Sequence, residues 1–199
     1  MIVFGCDPDY RATAWATFDT NEYSVLRAGV VVAEHKLKGS FAVAHMMEQI
    51  LNSPTLPPVM DEDGVDIVVC EYPKAYPKSE VQPNNLIGLA MIAGVMFGRM
   101  RGEEGIFPHP QEWKGTISKS VHQKRILTKL GWRYTQRGKQ LIPNTTIVRS
   151  WDIRPSEWTH VIDAIGLAMW GAEQIRQREA VARAAQRRRE RLALPSATR

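Results

Sequence analysis

The sequence predicts an α/β fold, a mixed five-stranded sheet flanked by helices, with an extended basic helix at the C-terminal end. Three observations carry that expectation. Two near-continuous apolar runs, IVFGCD and DIVVCE, each end in an acid and read as central strands covered on both faces. The stretch from Arg11 to Val32 is two further strand-like runs separated by turn residues. The later segments switch to helical spacing, which puts helices on the faces of the sheet.

Each element follows in chain order. IVFGCD is the first strand, and the segment from Arg11 to Asp19 alternates as a second. Asp19, Thr20, Asn21 and Glu22 form a turn into YSVLRAGVVV, which completes a three-stranded meander. Residues 40–52 have helical spacing, with Ser40 as N-cap, and the proline-rich SPTLPPVMDEDG ends that helix. DIVVCE repeats the opening strand. Residues 84–101, NNLIGLAMIAGVMFGRMR, form an apolar helix studded with small residues. A short strand near GIFP and a helix from about Ser118 to Leu130 follow, then a polar, basic stretch with a hairpin around Arg137 and Gly138. Ser156 caps a last helix from Glu157, which nothing interrupts before Pro195.

The 199 residues, 44% hydrophobic, suffice for one full-sized core and are too few for two. The expected division is a body of residues 1–173 and a basic extension of residues 174–199. No run approaches the roughly 20 apolar residues of a membrane helix, and no signal segment opens the chain, so a soluble, cytoplasmic protein without a membrane partner is expected. Cys6 and Cys70 are the only cysteines, each inside an apolar run, and are expected as reduced core thiols.

The net charge of +5 is unevenly distributed. Residues 1–110 carry 8 basic against 14 acidic side chains, residues 111–154 carry 10 against 2, and residues 174–199 carry 8 against 2. An acidic body repels a polyanion unless metal ions neutralise it, whereas basic blocks attract phosphate backbones. The combination suits a metal-dependent enzyme of nucleic acid, although solvated surface would also account for the basic blocks.

Side chains alternate along a strand, so Asp7 lies on the face opposite Cys6 and Glu71 on the face opposite Cys70. If the two strands are parallel neighbours, Asp7 and Glu71 sit about 5 Å apart at the carboxyl edge, where open sheets place their sites. Carboxylates that close call for a proton or a cation. In THVIDAIGLAMWG, His160 and Asp163 share one face at the start of a helix, while Val161, Ile162, Ile165, Ala168 and Met169 form a stripe that can pack on the sheet. With Asp7 and Glu71 they make an oxygen-rich, four-ligand set hard enough for Mg²⁺ or Mn²⁺.

These motifs resemble the RuvC family of Holliday junction resolvases, within the RNase H-like (retroviral integrase) superfamily. DPDYRAT is similar to that family's first motif through Asp7, Pro8, Arg11 and Thr13, IVVCEYP to its second through Glu71, and HVIDAIGLA to its last through His160 and Asp163. Order and spacing agree from residue 2 to about residue 172, with a looser spacing reminiscent of phage-type members. The resemblance implies an RNase H-like sheet and a metal-dependent endodeoxyribonuclease that resolves four-way junctions by paired symmetric nicks. Asp7, Glu71, His160 and Asp163 would be its catalytic and metal-binding residues, holding two Mg²⁺ or Mn²⁺ ions, with Asp7 as the bridge and His160 neutral. Asp9 departs from the family's usual glycine, and either changes the turn or adds a carboxylate near the metals.

The resemblance also implies branched DNA and a second copy of the chain as partners. Arg11, Lys114, Lys119 and Lys124 would hold phosphates. In YPKAYPKS, Tyr72 or Tyr76 would stack on a base and Lys74 or Lys78 hold phosphate, the alternative being a rigid proline-bounded loop. The helix of residues 84–101 corresponds to the family's dimer helix, with Gly88, Met91, Gly94, Val95 and Gly98 at the homodimer interface, or else is packed internally. The arginine-rich tail either extends the last helix and touches DNA backbone or is a solvated end. Another RNase H-like nuclease, cutting branched replication DNA or RNA:DNA hybrids, would keep the same acids, and a non-catalytic junction-binding protein would keep only the basic blocks.

Overall fold

The computed structural model describes residues 1–33, 37–57, 64–73, 83–144 and 151–193. Three antiparallel strands, β1 (Ile2–Asp7), β2 (Ala12–Asp19) and β3 (Ser24–Val32), form the expected meander. Helix α1 (Gly39–Asn52) leads to β4 (Ile67–Cys70), which lies parallel to β1 with Cys6 opposite Cys70. Helix α2 (Pro83–Met100) returns the chain to β5 (Glu104–Ile106), parallel to β4. The resulting sheet has the order β3-β2-β1-β4-β5. β1 and β4 occupy its middle because their apolar residues face a core on each side.

The two faces are covered by different helices. Phe4, Cys6, Val68 and Cys70 point to α1 and α2, where Met46, Ile50, Ile92 and Met96 complete one buried layer. Both cysteines are free and buried in that layer. Val3, Ile67 and Val69 point the other way, to α5 (Trp158–Ala193), and Val161, Ile162, Ile165, Ala168 and Met169 all lie in this second core as the apolar stripe requires. Helix α3 (Pro110–Lys114), helix α4 (Lys119–Lys129) and the hairpin β6 (Tyr134–Arg137) and β7 (Gln140–Pro143) close that side.

Gly5 sets how closely α5 approaches. A Cβ there would lie 2.1 Å from the Ala164 carbonyl oxygen and 2.6 Å from the Ala168 nitrogen, so only glycine lets the helix backbone rest on β1. Gly171 makes the matching contact further along, where a Cβ would meet Val69 at 2.4 Å. Residues 160–171 of α5 thus cross the sheet from Asp7 back towards Val3, antiparallel to β1.

Two helix starts differ from expectation. α1 begins at Gly39, so Ser40 lies in its first turn, and Lys38 is an N-cap without a side-chain bond. α5 begins at Trp158 after a 3₁₀ turn, Pro155–Glu157, that absorbs Ser156. Glu157 does the capping there, its Oε2 accepting the Arg154 N–H at 3.1 Å. α3 was not foreseen, because five residues carry no helical period; its signals are Pro110 in the first turn and Glu112, whose Oε2 accepts the His109 N–H at 2.5 Å.

Candidate active site at the carboxyl edge of the sheet

The parallel pairing of β1 and β4 brings Asp7 and Glu71 to one edge, with the Glu71 N–H donating to the Cys6 carbonyl at 3.0 Å. α5 delivers His160 and Asp163 to the same place. His160 Nδ1 lies 3.0 Å from Asp7 Oδ2. Asp163, only 2% exposed, accepts a bond from Gln123 Nε2 at 2.9 Å and an ion pair from Lys119 Nζ at 2.6 Å. Glu71 Oε2 accepts the Trp113 indole N–H at 2.7 Å and pairs with Lys114 Nζ at 3.2 Å. Three carboxylates from three separate elements therefore each hold a basic group of the chain.

The electrostatics explain why. Burial pushes the Glu71 carboxyl above its usual range and the Asp7 charge pushes it further, while Lys114 and Trp113 draw it partly back. Asp163 is raised by burial and then by Asp7, against the pull of Lys119 and Gln123. Burial would lower Lys119, but Asp163, Asp7 and Glu71 together hold its ammonium above the ordinary value. His160 is raised by its bond to Asp7, despite partial burial. Glu71 and Asp163 both feel Asp7, so the three acids share one field that favours added positive charge.

The donor chemistry, hard oxygens with one imidazole, fits a divalent cation. Among the described residues no group of three His, Cys, Asp or Glu side chains is already gathered closely enough to hold an ion. The chain's own basic groups, Lys114, Lys119 and His160, stand against the acids instead.

Supporting residues come from α3 and α4. Gln123, 1% exposed, ties Asp163 to the first turn of α5 by a second bond, 2.8 Å to the Thr159 carbonyl. Trp113 sits edge-on to His122, with ring centres 4.8 Å apart, and burial pushes the His122 pKa down to about 4, so that imidazole is neutral. Neither partner was foreseen: Trp113 stands 42 positions from Glu71, and Gln123 stands 40 from Asp163.

Asp9 serves the turn. Its Oδ1 accepts the Arg11 N–H at 2.7 Å, and its carbonyl accepts the Thr13 hydroxyl at 2.6 Å. This Asx turn uses the carboxylate that a glycine would lack and needs no left-handed backbone. Arg11 is exposed beside it, at the mouth of a groove between α1 and α2 lined also by Lys38, Val43, Met47 and Met91.

The remaining candidates are placed as follows. Tyr72 is 42% exposed, with its ring edge-on to His109 at 5.5 Å. Lys74, Tyr76 and Lys78 lie outside the described residues. Lys124 is half-buried on α4. On α2, Asn84, Ile87, Met91, Gly94 and Gly98 recur at alternating steps of three and four and are all exposed. Gly88 faces inward, where a Cβ would meet Val43 of α1 at 2.6 Å, and Val95 packs on the α1–α2 core.

No protein-family model and no curated protein matches the chain. Solved structures do. The RuvC of Thermus thermophilus in complex with a Holliday junction substrate superposes with a TM-score of 0.57 at 14% identity, over 89% of this chain and 96% of that one. Another structure of Thermus thermophilus RuvC gives a TM-score of 0.54 at 13% identity with the same coverage. Among the described residues no helix is long and apolar enough to cross a membrane. The chain thus has the five-stranded, RNase H-like fold of RuvC, with the carboxylates of β1, β4 and α5 at its carboxyl edge.

Proposed function

We propose that the chain is a metal-dependent endonuclease that resolves four-way DNA junctions by paired, symmetric nicks. The observation that carries this reading is the convergence of Asp7, Glu71, His160 and Asp163 at one sheet edge in a RuvC-like fold. Asp7, Glu71, His160 and Asp163 would hold two Mg²⁺ or Mn²⁺ ions, with Asp7 shared between them. Bound there, the ions would lower the pKa of an attacking water and stabilise the leaving oxygen.

The chain's own groups prepare that edge. Burial of Asp163 and Glu71 makes their charges strong attractors for a cation. Gln123 and Trp113 each bond to a carboxylate oxygen and fix its direction. Lys114 and Lys119 neutralise the acids in the absence of a cation, and from the same positions their flexible stems reach a scissile phosphate. His160 ligates only when neutral, so a cation must compete with a proton there.

Paired nicks require two sites related by a two-fold axis, and the exposed stripe on α2 supplies a face for a homodimer. Gly94 and Gly98 have nothing within 4 Å of a built Cβ, which leaves room for a second helix to approach closely. Ile87 is 60% exposed and Met91 49%, and these supply apolar area beside the glycines. Arg11, Tyr72 and Lys124 would meet the DNA around the cleavage edge.

The test is Mg²⁺- or Mn²⁺-dependent cleavage of a synthetic four-way junction, with a flap and an RNA:DNA hybrid in parallel. Two nicks at symmetric positions on the junction are expected. Preferential cutting of the flap or hybrid, or tight junction binding with no cutting under either metal, would overturn the assignment.

A further inference from the structure

Beyond Arg178, α5 buries none of its described side chains. From Arg176 to Arg191 every residue is exposed, so this part of the helix leaves the body and stands in solvent. Its root is fastened at two points: Arg176 donates to the Thr20 carbonyl, and Arg178 pairs with Glu104 at 2.5 Å. Both anchors lie at the edge opposite the carboxylates, because Thr20 follows β2 next to Met1 and Glu104 begins β5. With 1.5 Å per residue, Arg183 to Arg191 lie roughly 30–42 Å along the axis from Asp163.

The composition of this segment is one-sided. Residues 176–191 hold seven arginines against two glutamates, and Val181 is the only apolar side chain larger than alanine. Arg183, Arg187, Arg188 and Arg191 line one face, with Ala180 and Ala184 between them. Among the described residues only Arg183 of these has an acid, Glu179 at 3.5 Å. Glu190 is bonded to Gln186 at 2.9 Å, and among the described residues no acid pairs with Arg187, Arg188, Arg189 or Arg191.

We propose that this half of α5 is a second nucleic-acid-binding element, an arginine-faced arm that grips the phosphate backbone of duplex DNA at the pole opposite the candidate active site. Arg183, Arg187 and Arg191 follow one another at roughly 6 Å along the axis. Duplex DNA carries one charge per ~1.7 Å, so the ~12 Å they span faces about seven phosphates. The alanines between them keep the face flat enough for every guanidinium to reach. A membrane surface would need an apolar face, and one valine does not make one. A protein partner would need aromatic or large aliphatic anchors, which this face lacks. Binding here is independent of base sequence, since it reads phosphate alone.

The inference extends the reading of the chain as a branched-DNA nuclease, and its test uses linear duplex without divalent metal so that each stands or falls separately. Fluorescence anisotropy of a labelled 30-base-pair duplex would be titrated with the full chain over a range of KCl concentrations. R187A/R188A/R189A/R191A should bind at least about tenfold more weakly at moderate salt, and its plot of log K against log salt should be shallower by about 3. The fourfold Arg→Lys variant should stay within about threefold of wild type, which separates lost charge from lost fold. Circular dichroism should show the helix intact in both, since alanine and lysine are good helix formers. Unchanged affinity and slope in the alanine variant would overturn the proposal. So would loss of binding to phosphatidylglycerol vesicles or polyglutamate with duplex binding untouched.

Discussion

Asp7 and His160 meet at 3.0 Å although 153 positions of chain separate them. That bond, outweighing partial burial, raises the His160 pKa above its ordinary 6.5. A raised pKa adds stability that is fully present below the unfolded value and is lost as pH rises through the folded one. H160Q removes the charge and keeps a polar side chain. Denaturant unfolding should show the gap between wild type and H160Q largest near about pH 6 and shrinking towards about pH 9. A gap that grows with pH would contradict the Asp7–His160 pairing.

Neutralising the acids separates chemistry from binding. D7N and E71Q should reduce cleavage of a four-way junction by about a hundred- to a thousandfold or more, the lower range matching losses when one charge-stabilising group is removed. On the proposed reading, in which the basic residues hold the phosphates, junction affinity in a gel-shift assay should be retained. Cutting at the wild-type rate by either variant would remove that residue from the site.

Gln123 is both a core residue and a support for Asp163. Q123A leaves a cavity and takes a donor away from the buried Asp163 carboxylate, at a cost of about 2–4 kcal/mol. In a chain of this size the melting temperature should fall by about 5–15 °C. Below that melting temperature Q123A should also need more Mg²⁺ for half-maximal cleavage, a shift that destabilisation alone would not produce.

Gly5 and the outward-facing glycines of α2, Gly94 and Gly98, should respond in opposite ways. G5A drives a methyl group into the backbone of α5 and should cost about 3 kcal/mol or more, read as a lower denaturation midpoint. G98A meets open space within a helix and should stabilise an isolated subunit by about 0.5–1 kcal/mol.

The α2 stripe is tested by charge. I87D/M91D places two carboxylates on the exposed face and should convert a dimer into monomers in sedimentation experiments, with the fold retained by circular dichroism. Wild type sedimenting as a monomer at tens of micromolar would remove α2 as an interface.

The placement of the candidate acids at one edge was legible because its signals are local. Two apolar strands ending in Asp7 and Glu71 announce a shared edge, and the step from His160 to Asp163 announces one helix face. The supports were not legible, since Trp113 and Gln123 act across 42 and 40 positions and belong to segments with weak or no period. Gly5 looked like any residue of a buried strand until α5 was laid against it. The turn at Asp9 was readable only in part: an Asp before Tyr-Arg suggests an Asx turn, but a carboxylate beside a metal site suggests a ligand equally well. Its bonds to Arg11 and Thr13 show the turn.

The contact of Gly5 with Ala164 has a bearing on how such a chain can vary. It seats α5 directly on β1, so His160 and Asp163 are positioned by one backbone-to-backbone junction and not by the long connections on either side. The exposed parts of the connections between these elements can therefore vary in length while the four side chains keep their places, provided Leu56, Leu141 and Glu157 stay buried. Related sequences should align in short islands around Asp7, Glu71 and His160 to Asp163, separated by gaps, and overall identity would be a poor guide to whether the edge is intact.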